Sequence, residues 1–279
     1  MKPSVKSVSK INLNRVNYMI NVDILKFAEF LDNYKQKYAR PSCDISLSKQ
    51  TGNPLVSSNY IMLDFDAMCR DANFYPKQDS NRPSTTDAIY YRIISENNIE
   101  ISLVEFKTFS FTWEQKLYYT SAVSKVKKRL NKCGQTPESQ KGLNMLENIK
   151  DKLGNTIEFS LKLKPYDSLF VVLPKLYEEY CDEKNIPENE RIDLYNFFKS
   201  DLCTIKLFIV GKRYKNDPTK AFNTKLGNSL EKQFKRLDLV NVLTYHPQRL
   251  CFENEFDFYA KQLQLHEKDN LKSLNYNGT

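Results

Sequence analysis

Apolar and polar positions follow two different periods along this chain, and the change from one to the other marks its elements. After Asn21-Val22-Asp23, the apolar residues Ile24, Phe27, Ala28, Leu31, Tyr34 and Tyr38 recur at helical spacing, which predicts an amphipathic helix from about 23 to 38. Arg40-Pro41-Ser42 ends it, and 46–58 reads as a polar loop broken by Gly52 and Pro54. Asn59 to Asp66 is an apolar run short enough for a strand, and 71–83 is a polar, Pro-containing loop. Two runs rich in Ile, Tyr and Val, 85–94 and 99–107, then flank the polar segment Ser95-Glu96-Asn97-Asn98 and predict a hairpin.

Beyond the hairpin the period turns helical. Thr112 is placed to cap a helix running through about Leu130, Cys133 to Pro137 breaks it, and Leu143, Leu146, Ile149 and Leu153 mark another. From 157 to 172 strand and helix both remain open, because a run such as Leu169-Phe170-Val171-Val172-Leu173 has no distinguishing period. Pro174 opens a helix over 175–181. Pro187 to Glu190 starts one whose inner face holds Ile192, Tyr195, Phe198 and Leu202. Thr204 to Gly211 is a strand. Leu226, Leu230, Phe234, Leu237 and Leu239 suggest a helix, 252–265 another, and the tail from Lys268 is polar and expected to fray.

This order predicts an α/β fold with a mixed central sheet and flanking helices, the passage from Lys107 to Thr204 serving as a right-handed crossover to a parallel strand. The expected organisation is an α/β domain over 1–215 with a helical insertion at about 134–200, followed by a C-terminal helical extension over 216–279.

The hairpin carries the chemistry. On a strand Glu105 and Lys107 share a face with Ile99, Ile101 and Leu103, and the partner strand groups Asp87 with Ile89, Tyr91 and Ile93. Burial favours the register that stacks the two apolar triplets, since a slip of one residue would send one triplet to the other face. That register brings Asp87 beside Glu105 and Lys107. Two carboxylates and an ammonium at the end of an apolar face form a candidate site for Mg²⁺ or Mn²⁺, which take oxygen ligands and keep waters. The lysine could orient or activate an attacking water while the metal stabilises charge on a phosphoryl oxygen.

Composition narrows the partners. The net charge is +8 with a pI near 9.0, which favours a polyanion, because bound Lys and Arg release counterions from phosphates. Only 7 of the 279 residues are glycine, and neither a Gly-x-x-x-x-Gly-Lys-Ser/Thr loop nor a Gly-x-Gly-x-x-Gly turn occurs. The 6 cysteines form no Cys-x-x-Cys pair, and the basic N-terminus lacks a signal core, so reduced thiols in a cytoplasm are expected. No run approaches a membrane span. Lys125, Lys127, Lys128 and Arg129, with Lys132, offer a basic face for phosphates, although a solvated face is the commoner meaning of such a run. Lys212, Arg213 and Lys215, and Lys232, Lys235 and Arg236, are weaker additions. Phe109, Phe111 and Trp113 could stack bases or pack a core. His246 and His266 show no metal-ligand or catalytic spacing.

Asp87, followed after one hairpin by Glu105-Phe106-Lys107, resembles the Asp…Glu-x-Lys signature of the PD-(D/E)XK nuclease superfamily. The order of helix, three strands, helix and late strand is similar to its restriction endonuclease-like core, over roughly 23–210. Gln115 and Tyr119 resemble the Gln-x-x-x-Tyr element of RecB-like members. The resemblance implies that Asp87 and Glu105 ligate the metal with the Phe106 carbonyl, that Lys107 assists the water, and that Gln115 and Tyr119 support the site and its nucleic acid. Thr86 stands where the common pattern has Pro, and Glu29 is the candidate for a further acidic residue on the first helix. The expectation is a metal-dependent nuclease acting on DNA, with RNA as the alternative substrate and a homodimer left open. The competing expectation is a nucleic-acid-binding or assembly protein that retains the fold without cutting. Leu63-Asp64-Phe65-Asp66 is also similar to the Asp-x-Asp of haloacid dehalogenase-like phosphatases, but Met68 replaces the usual Thr or Val.

Overall fold

The computed structural model describes residues 20–47, 52–72, 83–107, 121–131, 136–211, 228–246 apart from 229 and 233, and 249–276. A six-stranded mixed sheet organises them, its strands lying side by side in chain order. Helix α1 (Val22–Tyr38) runs into β1 (Ala39–Pro41) and the short α2 (Ser42–Ile45). Then come β2 (Ile61–Asp64), α3 (Phe65–Asp71), β3 (Ala88–Ser95) and β4 (Asn98–Lys107). These first four strands are antiparallel neighbours. Helical residues 121–131 (α4), α5 (Pro137–Asp167), a π-helical segment (Ser168–Val172), α6 (Leu173–Glu183) and α7 (Leu194–Lys199) follow. They connect β4 to β5 (Cys203–Gly211), which pairs with it in parallel. Such a pairing needs a long crossover, and the helices supply it. Helical residues between 228 and 236 (α8) precede β6 (Leu250–Phe252), which pairs in parallel with β5, and α9 (Glu253–Tyr276).

The period-2 pattern of the central strands sorts their side chains into two cores. Ile89, Ile99, Ile101, Leu103, Ile205, Leu207 and Ile209 face a layer that includes Ile24, Phe27, Phe30 and Leu31 of α1, Leu173 and Leu176 of α6, and Phe197 and Phe198 of α7. Ala88, Val104, Phe208 and Val210 face Phe256, Ala260 and Leu263 of α9. The sheet is therefore covered on both sides, as a strand with few polar positions requires. Among the described residues no helix is long and apolar enough to cross a membrane.

The β3–β4 register pairs Ile89 with Leu103, Tyr91 with Ile101 and Ile93 with Ile99, the pairing that stacks the apolar triplets. Several expectations need correction. Asp64 ends β2 and begins α3, where its carboxylate accepts from the Ala67 N–H at 2.9 Å, so the Asp-x-Asp pair is a helix start. Asp66 pairs with Arg70. The open segment 157–172 is helical, with Pro165 inside α5. Tyr195 is 53% exposed, and the inner face of α7 is made by Leu194, Phe197 and Phe198. The segment after 216, expected as a helical extension, also supplies strand β6 to the same sheet, and α9 extends to Tyr276.

Candidate functional site

The end of β3–β4 remote from its turn brings Asp87, Glu105 and Lys107 together. The backbone carbonyl of Asp87 accepts from the Phe65 N–H at 3.0 Å, which ties it to the start of α3. Its Oδ2 accepts from the Phe106 N–H at 2.7 Å. Asp87 is thus held by backbone on both sides, at the last position before the ladder begins. Glu105, one residue short of Phe106 and opposite Ile209 of β5, is 1% exposed. Its Oε1 lies 2.9 Å from the Lys107 ammonium.

A fourth charged group completes the cluster, and it comes from α5. The Lys164 ammonium donates to the Thr85 carbonyl at 2.6 Å, and lies 2.9 Å from Glu105 Oε2 and 4.0 Å from Asp87 Oδ1. Helical spacing puts Asp167 and Ser168 on the same face, at i+3 and i+4. Both dock on the segment leading into β3: the Ser84 N–H donates to Asp167 Oδ2 at 2.7 Å, and the Thr86 N–H to Ser168 Oγ at 3.0 Å. The short run Ser84 to Thr86 is thereby stitched to the helix. A lysine in a long helix of 31 residues carries no signal of this role, since only the crossover path brings it to the sheet end.

Electrostatics follow from the crowding. Burial and the neighbouring Glu105 charge push the Asp87 carboxyl up to about 7, against the opposing pull of Lys164, the Phe106 N–H and Lys107. Burial alone would lower Lys107, but the Glu105 charge at ion-pair distance, with Asp87 beyond, outweighs it and holds the ammonium above its ordinary value. Lys107 is therefore a cation at neutral pH. Both Glu105 oxygens are fully buried and stand at ion-pair distance from lysines, yet neither accepts a well-directed hydrogen bond.

Two hard carboxylates brought to one sheet end beside the Phe106 backbone suit an oxygen-loving divalent cation. Among the described residues no group of three or more His, Cys, Asp or Glu side chains is placed to hold a metal, so a cation here would complete its shell from backbone and water, as Mg²⁺ commonly does.

The remaining expected site residues divide. Gln115 and Tyr119, with Thr112, Phe109, Phe111 and Trp113, lie outside the described residues, as do Lys132, Lys212, Arg213 and Lys215. Lys125, Lys128 and Arg129 are exposed on α4, whereas Lys127 pairs with Glu147 of α5 at 2.6 Å. Glu29 is exposed, and its charge is felt at Tyr180, away from the cluster. His246 is buried, its Nε2 2.9 Å from the Leu207 carbonyl, a packing role. Comparison of the chain with protein-family models, with curated proteins and with solved structures returned no match.

Proposed function

We propose that the Asp87, Glu105 and Lys107 cluster is the hydrolytic centre of a divalent-metal-dependent nuclease with a restriction endonuclease-like core, acting on phosphodiester bonds of DNA, with RNA as the alternative. The observation that carries this reading is the convergence of the three groups at one sheet end around a buried Glu105 whose oxygens lack directed hydrogen bonds. Asp87, Glu105 and the Phe106 carbonyl would hold Mg²⁺ or Mn²⁺. When bound, the cation supplies charge stabilisation for the phosphoryl oxygens and a more acidic water.

The protein's own contributions follow from its geometry. Asp87 and Glu105 supply the negative charge that makes the site selective for a cation, and the Phe106 N–H keeps the Asp87 carboxylate from rotating away. Lys107 stays protonated, so it acts by donating hydrogen bonds, orienting a water and offsetting phosphate charge, and it does not accept the water's proton. Exposed Lys125, Lys128 and Arg129 would contact phosphates without reading sequence.

A second reading, a nucleic-acid-binding or assembly protein that does not cut, is favoured by one observation: Lys107 and Lys164 already balance the two carboxylates. A cleavage assay separates the two. Single-stranded, duplex and branched DNA, and RNA, are incubated with Mg²⁺ or Mn²⁺ and the wild type, Asp87→Ala or Lys107→Ala. Cleavage by the wild type and its loss in both variants supports the nuclease. Cleavage unchanged in both removes the site, and binding without cleavage by the wild type supports the second reading.

A further inference from the structure

We infer that Lys164 is a resident counter-cation: its ammonium holds the place between Glu105 and Asp87 that a divalent cation takes, so the metal binds in competition with it. The inference rests on the metal-site reading above and adds a residue and a mode of control to it.

Position is the first argument. Three oxygens from three different residues surround the Lys164 nitrogen, those of Thr85 at 2.6 Å, Glu105 at 2.9 Å and Asp87 at 4.0 Å. Lys107 pairs with the other Glu105 oxygen, Oε1, at 2.9 Å, and its side chain is 34% exposed, whereas that of Lys164 is 13% exposed. Lys164 is thus the ammonium set between the two carboxylates, on the inner side, where a shared cation would have to sit.

Charge is the second. With both carboxylates ionised, the form that a cation binds, two carboxylates and two ammonium groups leave the cluster neutral, and a dication added to a neutral, buried cluster gains little attraction. Without Lys164 the cluster carries one net negative charge, and the attraction returns.

Freedom to move is the third. The directed hydrogen bond of Lys164 goes to Thr85, and its contact with Glu105 is one of charge, because neither Glu105 oxygen accepts a directed bond. The helix does not depend on Lys164 for its place, since Asp167 and Ser168 hold the same turn against Ser84 and Thr86. The long lysine side chain can therefore swing away while the backbone stays docked.

The test is titration of the full chain with Mn²⁺ alone, by calorimetry, for the wild type, Lys164→Met, Lys164→Gln, Lys164→Arg and Asp87→Asn. Competition predicts that both neutral variants bind Mn²⁺ about tenfold tighter or more, that Lys164→Arg, which keeps the charge, does not, and that Asp87→Asn removes binding. A merely structural lysine would give the opposite sign, because a loosened site binds metal more weakly. Wild-type binding that is lost in Asp87→Asn but equal or weaker in both neutral variants overturns the inference and leaves the metal site standing. Absence of Mn²⁺ binding in the wild type and in both neutral variants overturns both.

Discussion

The backbone N–H of Phe106 donates to Oδ2 of Asp87 at 2.7 Å. Phe106 lies between Glu105 and Lys107, whose side chains leave the strand on the face opposite its own. One hydrogen bond therefore fixes a carboxylate from β3 against the backbone of the residue that spaces the other two groups. The ladder brings the strands together, and this bond sets the carboxylate within the cluster.

Asp87 makes stability depend on pH in an unusual direction. Its carboxyl is raised from 3.8 to about 7, so the folded state holds the proton more tightly than the unfolded chain. The stabilisation is complete below the unfolded value and is lost as pH rises through about 7. Asp87→Asn does not titrate. In chelator-treated buffer its stability relative to wild type should rise between pH 4 and 7, by about 1–2 kcal/mol after discounting for the 27% exposure of the Asp87 side chain. Chemical denaturation of both proteins across that range measures the difference, and a flat or falling difference would refute the assignment.

Glu105 is expected to be the most costly of the cluster to neutralise. Glu105→Gln keeps the volume but leaves Lys107 and Lys164 without their shared counter-charge, at about 3 kcal/mol. Combining it with Lys164→Met should recover part of the loss, because the second change removes the more buried unpaired cation. Urea unfolding of the two single variants and the double variant measures the coupling, and strict additivity would show that the two residues do not interact.

Asp64→Ala should lower stability by about 1 kcal/mol through the lost cap at the start of α3. It should leave any metal-dependent cleavage unchanged. Loss of activity at unchanged stability would instead give the Asp-x-Asp pair a chemical role.

The elements that could be read from sequence are those whose side-chain period was long enough to be unambiguous. The helix over 22–38 carries apolar residues through four turns, and β3, β4 and β5 are long and rich in β-branched or aromatic residues. Strands β1 and β6, of three residues each, show no period at all, and they exist because a neighbouring strand offers them hydrogen bonds. Leu169 to Leu173 is apolar at every position although Phe170 and Val171 are only partly buried, and this unbroken run hides its helical nature. At Tyr195 an aromatic at helical spacing suggested the core, yet Leu194, Phe197 and Phe198 fill the inner face, and its ring stays outside against Phe170 and Lys199.

The amino-acid sequence alone determined the register of the hairpin and with it the meeting of Asp87, Glu105 and Lys107. A strand has only two faces, and only one pairing stacks the two apolar triplets on one face, so a local rule sufficed, although Ile93 near the turn stays 37% exposed. Only the tertiary structure decided that Lys164 joins them. Its partner Thr85 is 79 residues away in the chain, and their contact depends on where a long crossover returns to the sheet, on the packing of α5, and on the two hydrogen bonds that Asp167 and Ser168 accept from the Ser84 and Thr86 N–H groups. No period in the sequence encodes that path, because it is set by the sum of many burials across the whole core.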